Sequence, residues 1–272
     1  MKRVLKFLLA FALLAALTVP AFADMYPKPS VRVTFENLPD GPVYGTLLSY
    51  RIGTGPYSAD RIYGGWNADE KPVYDAFREY ADPDGFYFLN YIEDCSDGGY
   101  AWTYYPPDTF KLLLYFPDTG EFRSSGIINA YAYDSYYTVD LSREGELRLE
   151  KSYDYSAEIL SFAARCVMTI VLEMLTALAF GYRSRRELGC IAVVNAATQT
   201  ALNLAAGAAD YFGGVSKFYV AFVGLEIMVI ITEAAVFHRE LPRRGARGPA
   251  RAVVYAVAAN VISAAAGLWI GA

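Results

Sequence analysis

Histidine and cysteine are almost missing from this chain: one histidine and three cysteines in 272 residues. A lone histidine, His238, excludes a multi-histidine zinc centre, and it lies far along the chain from the polar half, where a Ser–His–Asp triad would need it. Cys95 is the sole cysteine of the polar half, so no disulfide can close within it, and Cys166 and Cys190 fall in apolar stretches. The H-E-x-x-H, G-x-S-x-G and P-loop patterns are also missing. No catalytic residue, metal site or cofactor is therefore expected. A basic excess is lacking too. Residues 24–156 hold 22 acidic and 11 basic side chains, and that balance argues against nucleic acid as a partner.

What is present divides sharply. Residues 24–156 carry 19 of the 23 tyrosines, whereas residues 157–272 hold only 7 acidic and 10 basic residues and are mostly Ala, Val, Leu, Ile and Gly. Two such compositions suit two different solvents. Residues 1–23 read as a signal peptide: Lys2, Arg3 and Lys6 are basic, Val4 to Val19 is apolar, and Ala21-Phe22-Ala23 supplies small residues before Asp24. The other reading of this stretch is an uncleaved anchor helix.

Residues 24–156 alternate as strands do. Val31, Val33 and Phe35 face one way and Arg32, Thr34 and Glu36 the other; further runs are expected at 43–51, 86–92, 99–105, 110–116, 121–125, 136–141 and 146–150. Val73, Phe77 and Tyr80 instead follow helical spacing, with Asp69 as N-cap and Asp82-Pro83 as stop. The expectation is a mainly antiparallel β domain with one helix, outside the membrane. Trp66, Trp102, Tyr104 and Tyr105 are its candidate aromatic surface, because flat rings stack on apolar ligand faces. The alternative is that these rings fill the β core. Asp82 and Asp84 form part of a calcium-like loop, but calcium takes six to eight oxygens, so solvated turn residues are the default reading.

Residues 157–272 suggest a four-helix transmembrane domain, with spans at about 157–181, 188–208, 216–237 and 252–271. Arg183, Arg185 and Arg186 separate the first two; Arg239, Arg243, Arg244, Arg247 and Arg251 separate the last two. The positive-inside rule puts both arginine-rich loops in the cytoplasm. Residues 24–156 and the C-terminus are then external, on a multi-pass plasma-membrane protein whose partners are the lipid bilayer and an envelope or membrane protein.

These apolar stretches contain polar residues at helical spacings. The candidate intramembrane polar site is Arg165, Glu173, Asn195, Thr198, Gln199, Asn203, Glu226 and Glu233, with Asn260 and Ser263 at comparable depth. Two layers are expected: an outer Arg165–Glu226 ion pair, and an inner layer bringing Glu173 near Glu233 and Asn195. Two carboxylates close together in a low dielectric share a proton or hold a cation. The competing reading is that polar side chains hold the helices together.

Certain strings carry a resemblance. They are Pro29-Ser30-Val31-Arg32-Val33-Thr34-Phe35-Glu36-Asn37-Leu38, Trp102 to Pro107 leading into Phe110 to Pro117, Asn195-Ala196-Ala197-Thr198-Gln199, and the pair Glu226 and Glu233. With them the mature chain resembles a family of uncharacterised membrane proteins of clostridia-like Gram-positive bacteria. The resemblance implies the same two-part architecture and brings no activity with it. Two functions stay open: an extracytoplasmic binding or sensing domain on a membrane anchor, or a small proton- or cation-coupled transporter or channel using the buried carboxylates.

Overall fold

The computed structural model describes residues 27–53, 55–56, 70–241 and 248–270, with the side chains of 248–249 and 264–270 outside that description. The signal-peptide stretch, Trp66 and Asp69 lie outside the described residues. The chain divides into two compact units, one spanning Pro27–Tyr153 and one containing Asp154–Ala272.

The first unit is built from strands whose side chains alternate between an inner and an outer face. Strand β1 (Ser30–Glu36) buries Val31, Val33 and Phe35 and exposes Arg32, Thr34 and Glu36. It pairs antiparallel with β5 (Gly99–Trp102) and parallel with β9 (Asp134–Asp140), which in turn pairs with β10 (Glu150–Lys151). A second sheet runs β3 (Tyr87–Phe88), β2 (Tyr44–Ser49), β6 (Thr109–Phe116), β7 (Glu121–Ser124). Strands β4 (Glu93–Asp94) and β8 (Ile128–Asn129) add to β2 and β6. Val31, Val33 and Val139 from the first sheet and Leu47, Phe110, Leu112 and Leu114 from the second form one core between them.

The opposite face of the second sheet is also covered. Helix α1 (Lys71–Glu79) lays Val73 and Phe77 against Leu48 and Leu113. Strands β2 and β6 therefore read as nearly continuous apolar runs, because both of their faces are buried. Trp102 is 2 % exposed and belongs to the inter-sheet core, its indole donating to the Tyr104 carbonyl at 2.9 Å. It is not part of an aromatic surface: in a four-residue strand of alternating faces, Tyr100 and Trp102 both point inward.

Two polar features hold this unit in ways the charge pattern does not announce. Lys111, within β6, is buried and donates to Asp82 at 2.6 Å and Asp84 at 2.9 Å. At the end of β1, Asn37 donates at 2.8 Å to Asp140, which also accepts from the Ser142 hydroxyl and backbone. The Asn37 bond, then those from Ser142, pull Asp140 from its ordinary 3.8 down to about 2. A depressed carboxyl stabilises the fold above its ordinary value, and that contribution fades as pH falls toward about 2. Asn37→Ala is expected to move the Asp140 midpoint back toward 3.8, as NMR titration of its side-chain carboxyl would report.

The second unit contains helices α2 (Tyr155–Ala179), α3 (Arg185–Glu240) and α4 (Gly248–Ile270). Asp154 caps α2, accepting from the Ser156 and Ala157 backbone. Ser184 and Glu187 form a reciprocal capping box that starts α3. Helix α3 is not straight. Thr198 donates to Glu233 at 2.6 Å across 35 residues of the same element. A straight helix would separate them by roughly 50 Å at ~1.5 Å per residue. The reversal is at Gly214, whose backbone (φ 73, ψ 179) is non-helical.

This architecture overturns the expected four-helix membrane bundle behind a mainly antiparallel β domain. The molecule is mixed α/β, with two sheets and four helices among the described residues. Only α2 and α3 are long and apolar enough to cross a membrane, by length and composition; the apolar part of α4, Ala250–Ser263, is shorter. The stretches at 188–208 and 216–237 are the two arms of the 56-residue element α3, continuous except at Gly214. Its physical reason is the sequence between them: no proline interrupts 208–216, so helical hydrogen bonding persists up to the glycine pair. The first sheet also departs from the expectation, since its central β1–β9 pairing is parallel.

Candidate functional site

The helices of the second unit invert the usual distribution of polarity. Leu160, Val167, Val171, Leu175, Val193 and Leu204 are exposed. Glu173, Asn195, Gln199, Glu233, Asn260 and Ser263 are buried, Glu173, Asn195, Glu233 and Asn260 completely. Helical spacing explains the grouping. Asn195 and Gln199 are four apart in the first arm of α3, and Asn260 and Ser263 three apart in α4, so each pair shares one face.

A connected network results. Glu233, in the second arm of α3, accepts from the Thr198 hydroxyl at 2.6 Å and from the Asn260 amide at 2.5 Å. Ser263 donates to Glu173 Oε1 at 3.3 Å, and Tyr255 donates to the Glu173 backbone carbonyl at 3.2 Å. Asn195 neighbours the Tyr255 hydroxyl, yet neither atom of its amide is satisfied by a hydrogen bond of normal geometry. Glu173 Oε2, Gln199 Nε2 and Asn260 Oδ1 are likewise buried without a partner. Five unsatisfied atoms in one layer are unusual, because each such group costs about 1–3 kcal/mol when left unpaired.

One side of this layer is sealed by aromatic rings. Tyr255 stands among Phe180, Tyr182 and Phe237, with ring centroids 5.6, 5.4 and 5.5 Å away. Arg251 closes the arrangement, stacking on Tyr182 at 4.5 Å and donating to the Phe180 carbonyl. Arg183, Arg185, Arg186 and Arg239 are exposed at this same end of the helices.

The eight residues singled out from the sequence are only partly brought together. Glu173, Asn195, Thr198, Gln199 and Glu233 share the buried layer. Arg165 is exposed and donates to Asn203 at 3.2 Å. Its expected ion pair with Glu226 does not form among the described residues, and Glu226 is only partly buried. Asn203 instead donates to the Gln199 carbonyl at 2.9 Å and faces Cys166. Tyr255 escaped notice in the sequence, where a single tyrosine in an Ala- and Val-rich stretch was its sole signal. Of the external aromatics, Tyr104 is half-buried and Tyr105 exposed, in edge contact at 4.8 Å. No group of three or more His, Cys, Asp or Glu side chains suited to a metal ion occurs among the described residues.

No family model, no curated protein and no solved structure matches this chain.

Proposed function

We propose that this is a membrane protein of the plasma membrane whose helical unit binds a proton or cation in the Glu173–Glu233 chamber and relays it, with the β unit on the extracytoplasmic side. One observation carries the reading: unsatisfied polar atoms of Glu173, Asn195, Gln199 and Asn260 are buried together inside helices with exposed apolar surfaces. Packing alone needs polar groups that pair with each other, and these do not. The exposed arginines at one end support a cytoplasmic placement of that end.

The test is flux. Full-length protein in liposomes is expected to carry protons or monovalent cations, and the Glu173→Gln/Glu233→Gln double variant to lose that flux while keeping its helicity. Equal, background-level flux from both folded proteins would sink the proposal.

A second reading keeps the β unit as a binding or sensing domain for an envelope or membrane protein. Tyr105 favours it: this bulky residue is 59 % exposed and holds φ 45, a conformation rarely adopted outside glycine. If background flux is all that is seen, ligand-induced stabilisation that vanishes in Tyr105→Ala would support this role instead.

A further inference from the structure

We infer that the chamber holds a dehydrated alkali-metal cation between Glu173, Asn195 and Asn260, rather than a proton alone; this rests on the reading of the chamber just proposed. Three of its unsatisfied atoms are oxygens: Glu173 Oε2, Asn195 Oδ1 and Asn260 Oδ1. They come from α2, the first arm of α3 and α4. A proton on Glu173 supplies one donor, so it can serve one of the two amide oxygens and leaves the other unpaired. A small cation within reach of all three would serve each of them.

The orientation of Asn260 is fixed independently. Its Nδ2 donates to Glu233 and to the Ala256 carbonyl, so the free atom is the oxygen and the amide cannot be turned without breaking both bonds. The Asn195 amide neighbours the Tyr255 hydroxyl but makes no hydrogen bond of normal geometry, so it can turn to present its oxygen.

The donor atoms select the ion class. Both oxygens of Glu233 are already engaged, by Thr198 and Asn260. Of the two completely buried carboxylates, Glu173 offers the unengaged oxygen. Calcium takes six to eight oxygens, usually from several carboxylates, and softer metals take His or Cys. One free carboxylate oxygen with two amide oxygens suits a hard, monovalent ion. Ser263, 3.3 Å from Glu173 Oε1, ties the carboxyl group of α2 to the helix that carries Asn260.

The experiment uses the full-length protein in detergent, with NaCl, KCl and choline chloride compared at equal ionic strength. Binding of radioactive sodium or rubidium is measured beside thermal unfolding. One of the alkali salts is expected to raise the unfolding temperature above that in choline chloride. Glu173→Gln and Asn195→Ala are expected to weaken cation binding by about tenfold or more, which is ~1.4 kcal/mol, and Arg183→Gln to leave it unchanged. Should Glu173→Gln fail to fold, Asn195→Ala carries the test, since no hydrogen bond of normal geometry is lost with its amide. Identical behaviour of the three salts, with no ion bound by the folded wild-type protein, would overturn the cation inference. Proton flux in the same preparation would then leave the proposed function standing, and its absence would remove both.

Discussion

Replacing Lys111 by methionine is expected to destabilise the β unit by about 3–5 kcal/mol, the cost of stranding a buried charge whose partner has been removed. The stranded group is Asp82, whose side chain is 0 % exposed in its ion pair with Lys111. Asp84 matters less: its side chain is 57 % exposed, so Asp84→Asn should cost under about 1 kcal/mol. Hydrogen exchange of the β2 and β6 amides in the full chain reads the effect, with a loss of protection of roughly a hundredfold to a few thousandfold at ~1.4 kcal/mol per decade. Adding Asp82→Asn to Lys111→Met should recover much of it, because the uncompensated charge is then gone. If Lys111→Met exchanges like the wild type, the pair is not a support of the fold. The pH dependence has a definite sign. Burial lowers the Lys111 ammonium, but the hydrogen bonds it donates to Asp82 and Asp84 outweigh that effect and hold the group above its ordinary 10.5. The contribution linked to the lysine's own titration is therefore complete below about 10.5 and fades as pH rises through the higher folded-state value.

That pair also marks where sequence reasoning stops. Val31, Val33 and Phe35 alternate with charged or polar neighbours, so β1 was legible from its period of two. Val73 and Phe77, four apart, made α1 legible in the same way. Strand β6 was visible as an apolar run, but nothing local says that it is buried on both faces. Lys111 within it and Asp82 beyond α1 are 29 residues apart, and only the packing of α1 over the second sheet joins them. Trp102 shows the converse ambiguity. An aromatic in a strand looks the same whether it faces a ligand or the opposing sheet, and the opposing sheet's residues in this core, Leu47 and Leu112 among them, belong to other strands. The parallel β1–β9 pairing spans about a hundred residues and left no mark in either strand.

The polar layer was legible in part for a physical reason. Polar residues in an apolar helix are conspicuous, and their spacing fixes which share a face. Depth along the helix is less secure, since a boundary error of one turn moves a residue by ~5.4 Å. Glu173, Asn195 and Glu233 fall on the buried face whatever the exact helix bounds. Arg165 is exposed and finds Asn203 rather than Glu226. The helix count failed on a single residue. Two glycines and no proline between 208 and 216 are compatible with a loop or with a bent helix, and composition cannot choose between them.

Gly214→Val is expected to be the most damaging single substitution in the helical unit, and Gly213→Ala, one residue away, to be mild. Gly214 holds φ 73 with ψ 179, a region that is essentially glycine's alone, and it is buried. Forcing a β-branched residue into it costs on the order of 1–3 kcal/mol in backbone strain before any packing is disturbed. Relief of that strain by returning to helical angles would straighten α3 and pull its arms apart. The Thr198–Glu233 and Asn260–Glu233 bonds would then be lost together, leaving buried polar groups on both arms. Gly213 differs in kind. A methyl group there would approach Lys217 Cδ to 2.0 Å, which is a severe overlap on paper. Its neighbour, however, is the flexible stem of an exposed lysine, which can swing away at little cost. The two variants can be compared by the unfolding temperature and yield of the full-length protein in detergent, with a cysteine pair at Thr198 and Glu233 testing whether the arms still meet. A Gly213→Ala variant as damaged as Gly214→Val would locate the constraint in crowding rather than in backbone conformation. A stable Gly214→Val variant would mean that the reversal of α3 does not depend on this glycine.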